Sequence, residues 1–250
     1  MNTNTLDKMR KMKFYGMFHA FKGSLETGQT NDYTADELLA HLVEAEWDDR
    51  HNRKIDRQVL CAHFRYKASV EDIQYHADRG IDRNQIMRLA DTSFIARNEN
   101  LLITGSTGIG KSYIATAIGH QACISGYRVL YASTPKLFAK LKMAKADGSY
   151  MKEVTKIERQ QLLILDDFGI QPFDAQSRAA LMEIIEDRHG KTSLIITSQL
   201  PVSKWYEVIG EKTIADAILD RIVHDAHRIE LSGESMRKKI SVNTKTADSN

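Results

Sequence analysis

The chain has 250 residues, 42% apolar and 27% charged, with a formal net charge of +2. This length accommodates one α/β domain and a smaller one, and the near-neutral charge excludes whole-surface attraction to nucleic acid, so any DNA contact has to come from local basic clusters. Two distant cysteines, Cys61 and Cys123, exclude a disulfide framework and suit a reducing cytoplasm, three prolines exclude a long Pro-rich linker, and no run approaches the ~20 apolar residues of a membrane span.

Residues 1–65 read as helical. Thr34-Ala-Asp-Glu37 has the form of a capping box ahead of LLAHLVEAEW. Leu6, Met9, Lys13, Met17 and Phe21 approximate helical spacing, which predicts an amphipathic helix or a basic, aromatic docking surface. From about residue 100 the pattern changes. LLIT (101–104), RVLYAS (128–133), LLILDD (162–167), SLIITS (193–198) and HRIEL (227–231) read as strands buried on both faces, hence a parallel sheet. Helical stretches begin at Lys111, Pro135, Ala175 and Thr213, and Gly126 and Gly190 stand where C-terminal caps belong. The expected class is α/β, a five-stranded parallel sheet flanked by helices. The expected domains are a helical region 1–65, the α/β domain 66–240 and a tail 241–250.

The segment GSTGIGKS at 105–112 matches G-x-x-x-x-G-K-[ST] between a strand and a helix. Gly105, Gly108 and Gly110 let backbone N–H groups approach a triphosphate. Lys111 supplies a point charge at the β- and γ-phosphates, and the Ser112 hydroxyl is a ligand for Mg²⁺. The expected nucleotide-contacting set is Gly105, Ser106, Thr107, Gly108, Ile109, Gly110, Lys111, Ser112 and Tyr113. LLILDD places two acids at the C-terminal end of a strand, where α/β sheets bind ligands. Asp166 is assigned to Mg²⁺ together with Ser112, and Asp167 to orienting the attacking water; a turn or helix-capping acid is the plainer alternative. DFG at 167–169 imitates a kinase metal motif, but the accompanying catalytic loop is missing.

With both motifs placed, NLLITGSTGIGKSYIATAIGHQA, LLILDDFG, LIITSQLP and AILDRIVHDAHRIELSGESMRK resemble the IstB/DnaC group of AAA+ ATPases. The resemblance covers roughly residues 65–240 and implies a P-loop AAA+ core, a small all-helical N-terminal adaptor domain and no C-terminal lid. It implies that Gln199, in TSQ, is the sensor of the γ-phosphate, where the group usually has Asn. It implies that Arg221 is an arginine finger acting on a neighbouring subunit's ATP, the alternative being a surface arginine paired to Asp220 or Asp225. It implies that Arg237 is a second sensor, the alternative being a solvated basic tail. Many AAA+ proteins carry Glu where Asp167 stands, so slow hydrolysis is expected.

Residues 136–159 hold seven Lys/Arg against three acids. Lys136, Lys140 and Lys142 are read near one helix face, and with Lys145 they form the candidate DNA-binding set, by likeness to the channel-lining insertion of the loader and initiator clade. Such lysines neutralise phosphates without reading sequence; an ordinary solvated helix face is the alternative. The expected protein is a Mg²⁺-dependent ATPase of the bacterial cytoplasm. It assembles as a ring or spiral on duplex DNA, presents the DNA to a transposase of the same insertion sequence, and hydrolyses ATP to disassemble. The rival readings are a DnaC-type helicase loader, which shares every ATPase residue, and a monomeric small-molecule kinase.

Overall fold

A computed structural model describes residues 2–29, 32–75 and 79–236. The chain forms two compact units, 1–57 and 58–250. In the first, α1 (Asn2–Lys11) and α2 (Tyr15–Thr27) precede α3 (Ala35–Ala62), which passes the division at Arg57. The capping box forms as the sequence predicts: the Glu37 carboxylate accepts from the Thr34 N–H at 2.8 Å, and the Thr34 hydroxyl accepts from the Glu37 N–H at 3.3 Å. The continuous spacing read from Leu6 to Phe21 is interrupted. Lys13 adopts a left-handed φ of 63° between α1 and α2, so one stripe becomes two helices. Gly16 lets α2 approach α3, since a Cβ there would lie 2.2 Å from the Ala45 carbonyl oxygen.

The second unit opens with α4 (Arg83–Ala90) and α5 (Ser93–Ala96), neither of which has a long enough periodic pattern to be read in advance. There follow β1 (Asn100–Gly105), α6 (Lys111–Ile124), β2 (Val129–Ser133), α7 (Thr134–Asp147), α8 (Tyr150–Glu158) and β3 (Leu162–Phe168). The chain then forms α9 (Ala175–Arg188), β4 (Ser193–Ser198), α10 (Trp205–Ile209), α11 (Lys212–Val223) and β5 (Ala226–Leu231). The five strands are parallel, in the order β2-β3-β4-β1-β5.

Alternate side chains of each central strand enter different cores. Leu101, Ile103, Leu162 and Ile164 pack with α4, α5 and α6, whereas Leu102, Leu163, Leu165 and Ile196 pack with α7 to α11. Each core residue removes apolar surface worth about 1.5–3 kcal/mol per large side chain. That double burial explains why the strands read as unbroken apolar runs. The loops after β1, β3 and β4 therefore gather at one edge of the sheet, where strand C-termini meet ligands in such folds. Gly126 and Gly190 follow α6 and α9 with φ of 92° and 69°, as expected of helix stops. No helix among the described residues is long and apolar enough to cross a membrane.

Candidate nucleotide site

The loop from Gly105 to Gly110 joins β1 to α6, and its three glycines have φ of 143°, 83° and 100°. Close neighbours add to this backbone requirement. A Cβ on Gly105 would sit 2.4 Å from the Leu231 carbonyl oxygen, one on Gly108 would sit 2.2 Å from Ser235 Oγ, and one on Gly110 would sit 2.8 Å from the Arg79 guanidinium. Arg79 is buried and donates to the Ile109 carbonyl at 2.6 Å, while the Met236 N–H donates to the Gly108 carbonyl at 2.9 Å. The loop is thus braced from outside, which leaves it as a bare-backbone cradle. Ile109 is buried in the core against α6, and Tyr113 packs at the edge of the same core.

Lys111 is buried, and its ammonium donates to the Gly105 and Ser106 carbonyls, each at 2.8 Å. Burial pulls its pKa down, and the charges of Asp166 and Asp167 pull it the other way. Ser112 Oγ donates to Asp166 Oδ1 at 2.7 Å, so the two residues assigned to magnesium meet although 54 positions separate them. Asp166 is fully buried. It also accepts from the Thr197 hydroxyl and the Tyr131 hydroxyl. Burial first, then the bond to Asp166, raises the Tyr131 pKa, which keeps this donor a phenol.

Asp167 departs from its neighbour. The ladder between β3 and β4 shifts register between Leu165 and Phe168, and Asp167 takes a left-handed φ of 60°. Asp tolerates that region better than most residues, and such strain concentrates at functional positions. The bulge turns Asp167 out of the strand alternation, and the Thr197 hydroxyl accepts from its N–H at 3.2 Å. Gln199, immediately after β4, accepts from the Thr107 hydroxyl at 2.7 Å, which joins the expected sensor to the phosphate loop.

Arg65 was not singled out by sequence, yet its guanidinium lies 3.5 Å from Asp167 and 3.8 Å from Asp166. Tyr131, Thr197 and Arg79 also went unread. Thr197 had a signal, since it ends a strand parallel to LLILDD; Tyr131, Arg65 and Arg79 had none, because their placement depends on strand order and loop path.

Arg221 stands apart from this group. Its carbonyl meets Asn100, the first residue of β1, so it lies at the opposite edge of the sheet from Gly105. Its guanidinium pairs with Glu186 at 2.8 Å and donates to the Ala217 carbonyl, not to Asp220 or Asp225. It lines a cleft of about 490 Å³ with Arg97, Arg188 and His227. Arg237 lies outside the described residues, as does the tail 241–250.

The four candidate DNA lysines all lie on α7 but do not share a face. Lys136 and Lys140 line a cleft of about 900 Å³ beside β2. Lys142 points instead toward Asp174, 3.3 Å away, and Lys145 sits 4.5 Å over the Tyr150 ring. The reason is helical geometry: positions 136 and 140 are one turn apart, whereas 142 is rotated by about 240° from 136 at 3.6 residues per turn.

The bare-glycine loop, the buried lysine, the Ser112–Asp166 pair and the parallel strand order β2-β3-β4-β1-β5 define a P-loop α/β protein of the AAA+ class. The chain belongs to the family of IstB-like ATP binding proteins, whose match runs over residues 7–244. It is 47% identical over 234 residues to an insertion sequence ATP-binding protein of Sinorhizobium fredii, covering 94% of this chain and 96% of that one. It is 36% identical over 204 residues to the ATP-binding protein of an insertion sequence of Pseudomonas fluorescens, covering 81% and 88%. Its fold is similar to the crystal structure of DnaI, with a TM-score of 0.57 and 26% identity over 70% of this chain and 94% of that one.

Proposed function

We propose that this protein is a Mg²⁺-dependent ATPase that assembles on duplex DNA and presents it to the transposase of its insertion sequence. The observation that carries the reading is the Ser112–Asp166 pair at the mouth of the glycine cradle, with Asp167 turned out beside it. Backbone N–H groups of the loop would face the phosphates, and Lys111 would exchange two carbonyl contacts for the β- and γ-phosphate oxygens. Ser112 and Asp166 are oxygen donors of the kind a hard cation prefers, and among the described residues no larger His/Cys/Asp/Glu group could hold a metal. Magnesium held there would supply charge neutralisation on the phosphate oxygens. Thr197 and Tyr131 hold the Asp166 carboxylate in place, Asp167 orients the attacking water, and Gln199 reports the γ-phosphate through Thr107.

Arg221, remote from its own chain's phosphate loop, is proposed to complete the site of a neighbouring subunit. An always-charged planar guanidinium suits the charge spread of phosphoryl transfer. ATP binding thereby favours a ring or spiral, and hydrolysis releases it. The insertion-sequence relatives favour a transposase as partner over a replicative helicase. The test is hydrolysis of ATP by purified protein with and without duplex DNA and the transposase encoded beside it. Phosphate release that requires Mg²⁺ and rises with both partners supports the reading; ATP binding with no turnover under any of these conditions contradicts it.

A further inference from the structure

The cleft of about 900 Å³ beside β2 has two walls that meet at Asp167. One wall is α7 and α8, with Lys136, Lys140 and Lys156; the other is the segment 61–65 that ends in Arg65. Glu153 sits between Lys140 and Lys156, 2.6 Å from each, and so offsets one of these cations. Lys136 is exposed and has no ion-pair partner among the described residues. The cleft therefore carries a surplus of positive charge, and its innermost cation, Arg65, is also the partner of both acids of the nucleotide site.

We infer that this cleft takes the phosphodiester backbone of DNA and that Arg65 is a brake linking it to hydrolysis; the inference rests on the ATPase reading above. The Arg65 side chain is 48% exposed and its carboxylate contacts are 3.5 and 3.8 Å long, so the two acids hold it loosely, while its guanidinium also lies 5.4 Å over the Tyr66 ring and bonds the Tyr131 hydroxyl. Pairs this long, with the guanidinium half exposed, are weak, and a guanidinium exchanges them for a phosphate that it can grip in two places. With the cleft empty, Arg65 engages the Asp167 carboxylate and competes with the water that carboxylate would orient. With a phosphodiester between Lys136, Lys140 and Arg65, the guanidinium turns to the phosphate and Asp167 is released. DNA on this chain then starts the hydrolytic timer of the same chain, with no global rearrangement. Arg65 is a positioning residue in this scheme, since it acts through Asp167.

The experiment is steady-state hydrolysis by the full chain, with and without a duplex oligonucleotide of random sequence, alongside affinity for a fluorescent ATP analogue. The wild type has a low DNA-free rate that duplex raises. Arg65→Ala raises the DNA-free kcat by at least about twofold, with KM and analogue affinity unchanged, and so lowers the ratio of DNA-stimulated to basal rate by a similar factor. Lys136→Ala/Lys140→Ala loses the increment and makes the salt dependence of DNA binding shallower by about two. An Arg65→Ala rate at or below wild type, or an unaltered ratio of stimulated to basal rate, overturns the brake. Stimulation by polyglutamate equal to that by duplex overturns the assignment to a phosphodiester. A wild type that hydrolyses no ATP with or without duplex contradicts the ATPase reading and the brake with it, whereas ordinary hydrolysis with an indifferent Arg65 sinks the brake alone.

Discussion

Asp166 is buried and bonded to Ser112, Tyr131 and Thr197, while Asp167, one residue on, turns through a left-handed backbone to a half-buried position facing Arg65. The sequence shows two identical acids in a row; the register shift in β3 is what gives them different surroundings. Asp167→Asn is expected to keep nucleotide affinity and to lower hydrolysis by at least ~100-fold, read as phosphate release against binding of a labelled analogue. Lys111→Ala is expected to remove ATP binding itself, because it deletes the point charge proposed to meet the β- and γ-phosphates. Gly105→Ala tests the cradle differently: it meets the Leu231 carbonyl and an unfavourable φ, so a loss of about 1–3 kcal/mol should appear in denaturant unfolding. At this scale the glycines, lysine, serine and acids were legible because their chemistry is local in sequence. Arg65 and Arg79 were not, because nothing in their neighbours marks a side chain that acts on a loop tens of residues away.

The elements that bury two faces were the easiest to read, as β1, β3 and β4 show, since parallel strands leave apolar runs of three or four residues. The short α8 escaped notice because it lies within a lysine-rich stretch whose apolar positions are few, although Val154 and Ile157 still enter the core. Its end is fixed from across the fold by Arg188 on α9. This buried guanidinium donates to the Ile157, Gln160 and Ser193 carbonyls, and burial pulls its pKa down to about 10. Arg188→Leu leaves those carbonyls without their donor and should destabilise the domain by about 2–4 kcal/mol, seen as a lower unfolding midpoint. A second tie joins the start of β1 to β5. Glu99 bonds Arg97 and His227, and the Arg97 hydrogen bond foremost holds its carboxyl at about 2 against an ordinary 4.5. Because the folded pKa is the lower one, this contribution is complete above pH 4.5 and fades as pH falls toward 2. Glu99→Gln should flatten the acid limb of a stability–pH curve and leave its neutral limb parallel to wild type.

For the molecule as a whole, the phosphate loop and Arg221 occupy opposite edges of one sheet. A chain acting alone leaves Arg221 in its pair with Glu186; in the proposed assembly a second copy would give it a phosphate to address. Sequence likeness suggested this role, but only strand direction supplies the physical reason for it: residues that begin β1 cannot serve a site built where β1 ends. If each active site is shared between subunits, variants that lack opposite halves of it should complement one another when mixed. Arg221→Ala and Asp167→Asn are each expected to hydrolyse ATP at a few per cent of wild type or less on duplex DNA. Mixed in equal amounts, they should regain a substantial fraction of activity, because some interfaces join an intact Asp167 to an intact Arg221 from the other chain. A mixture no more active than its components, from variants that both bind ATP and DNA, would contradict a shared site.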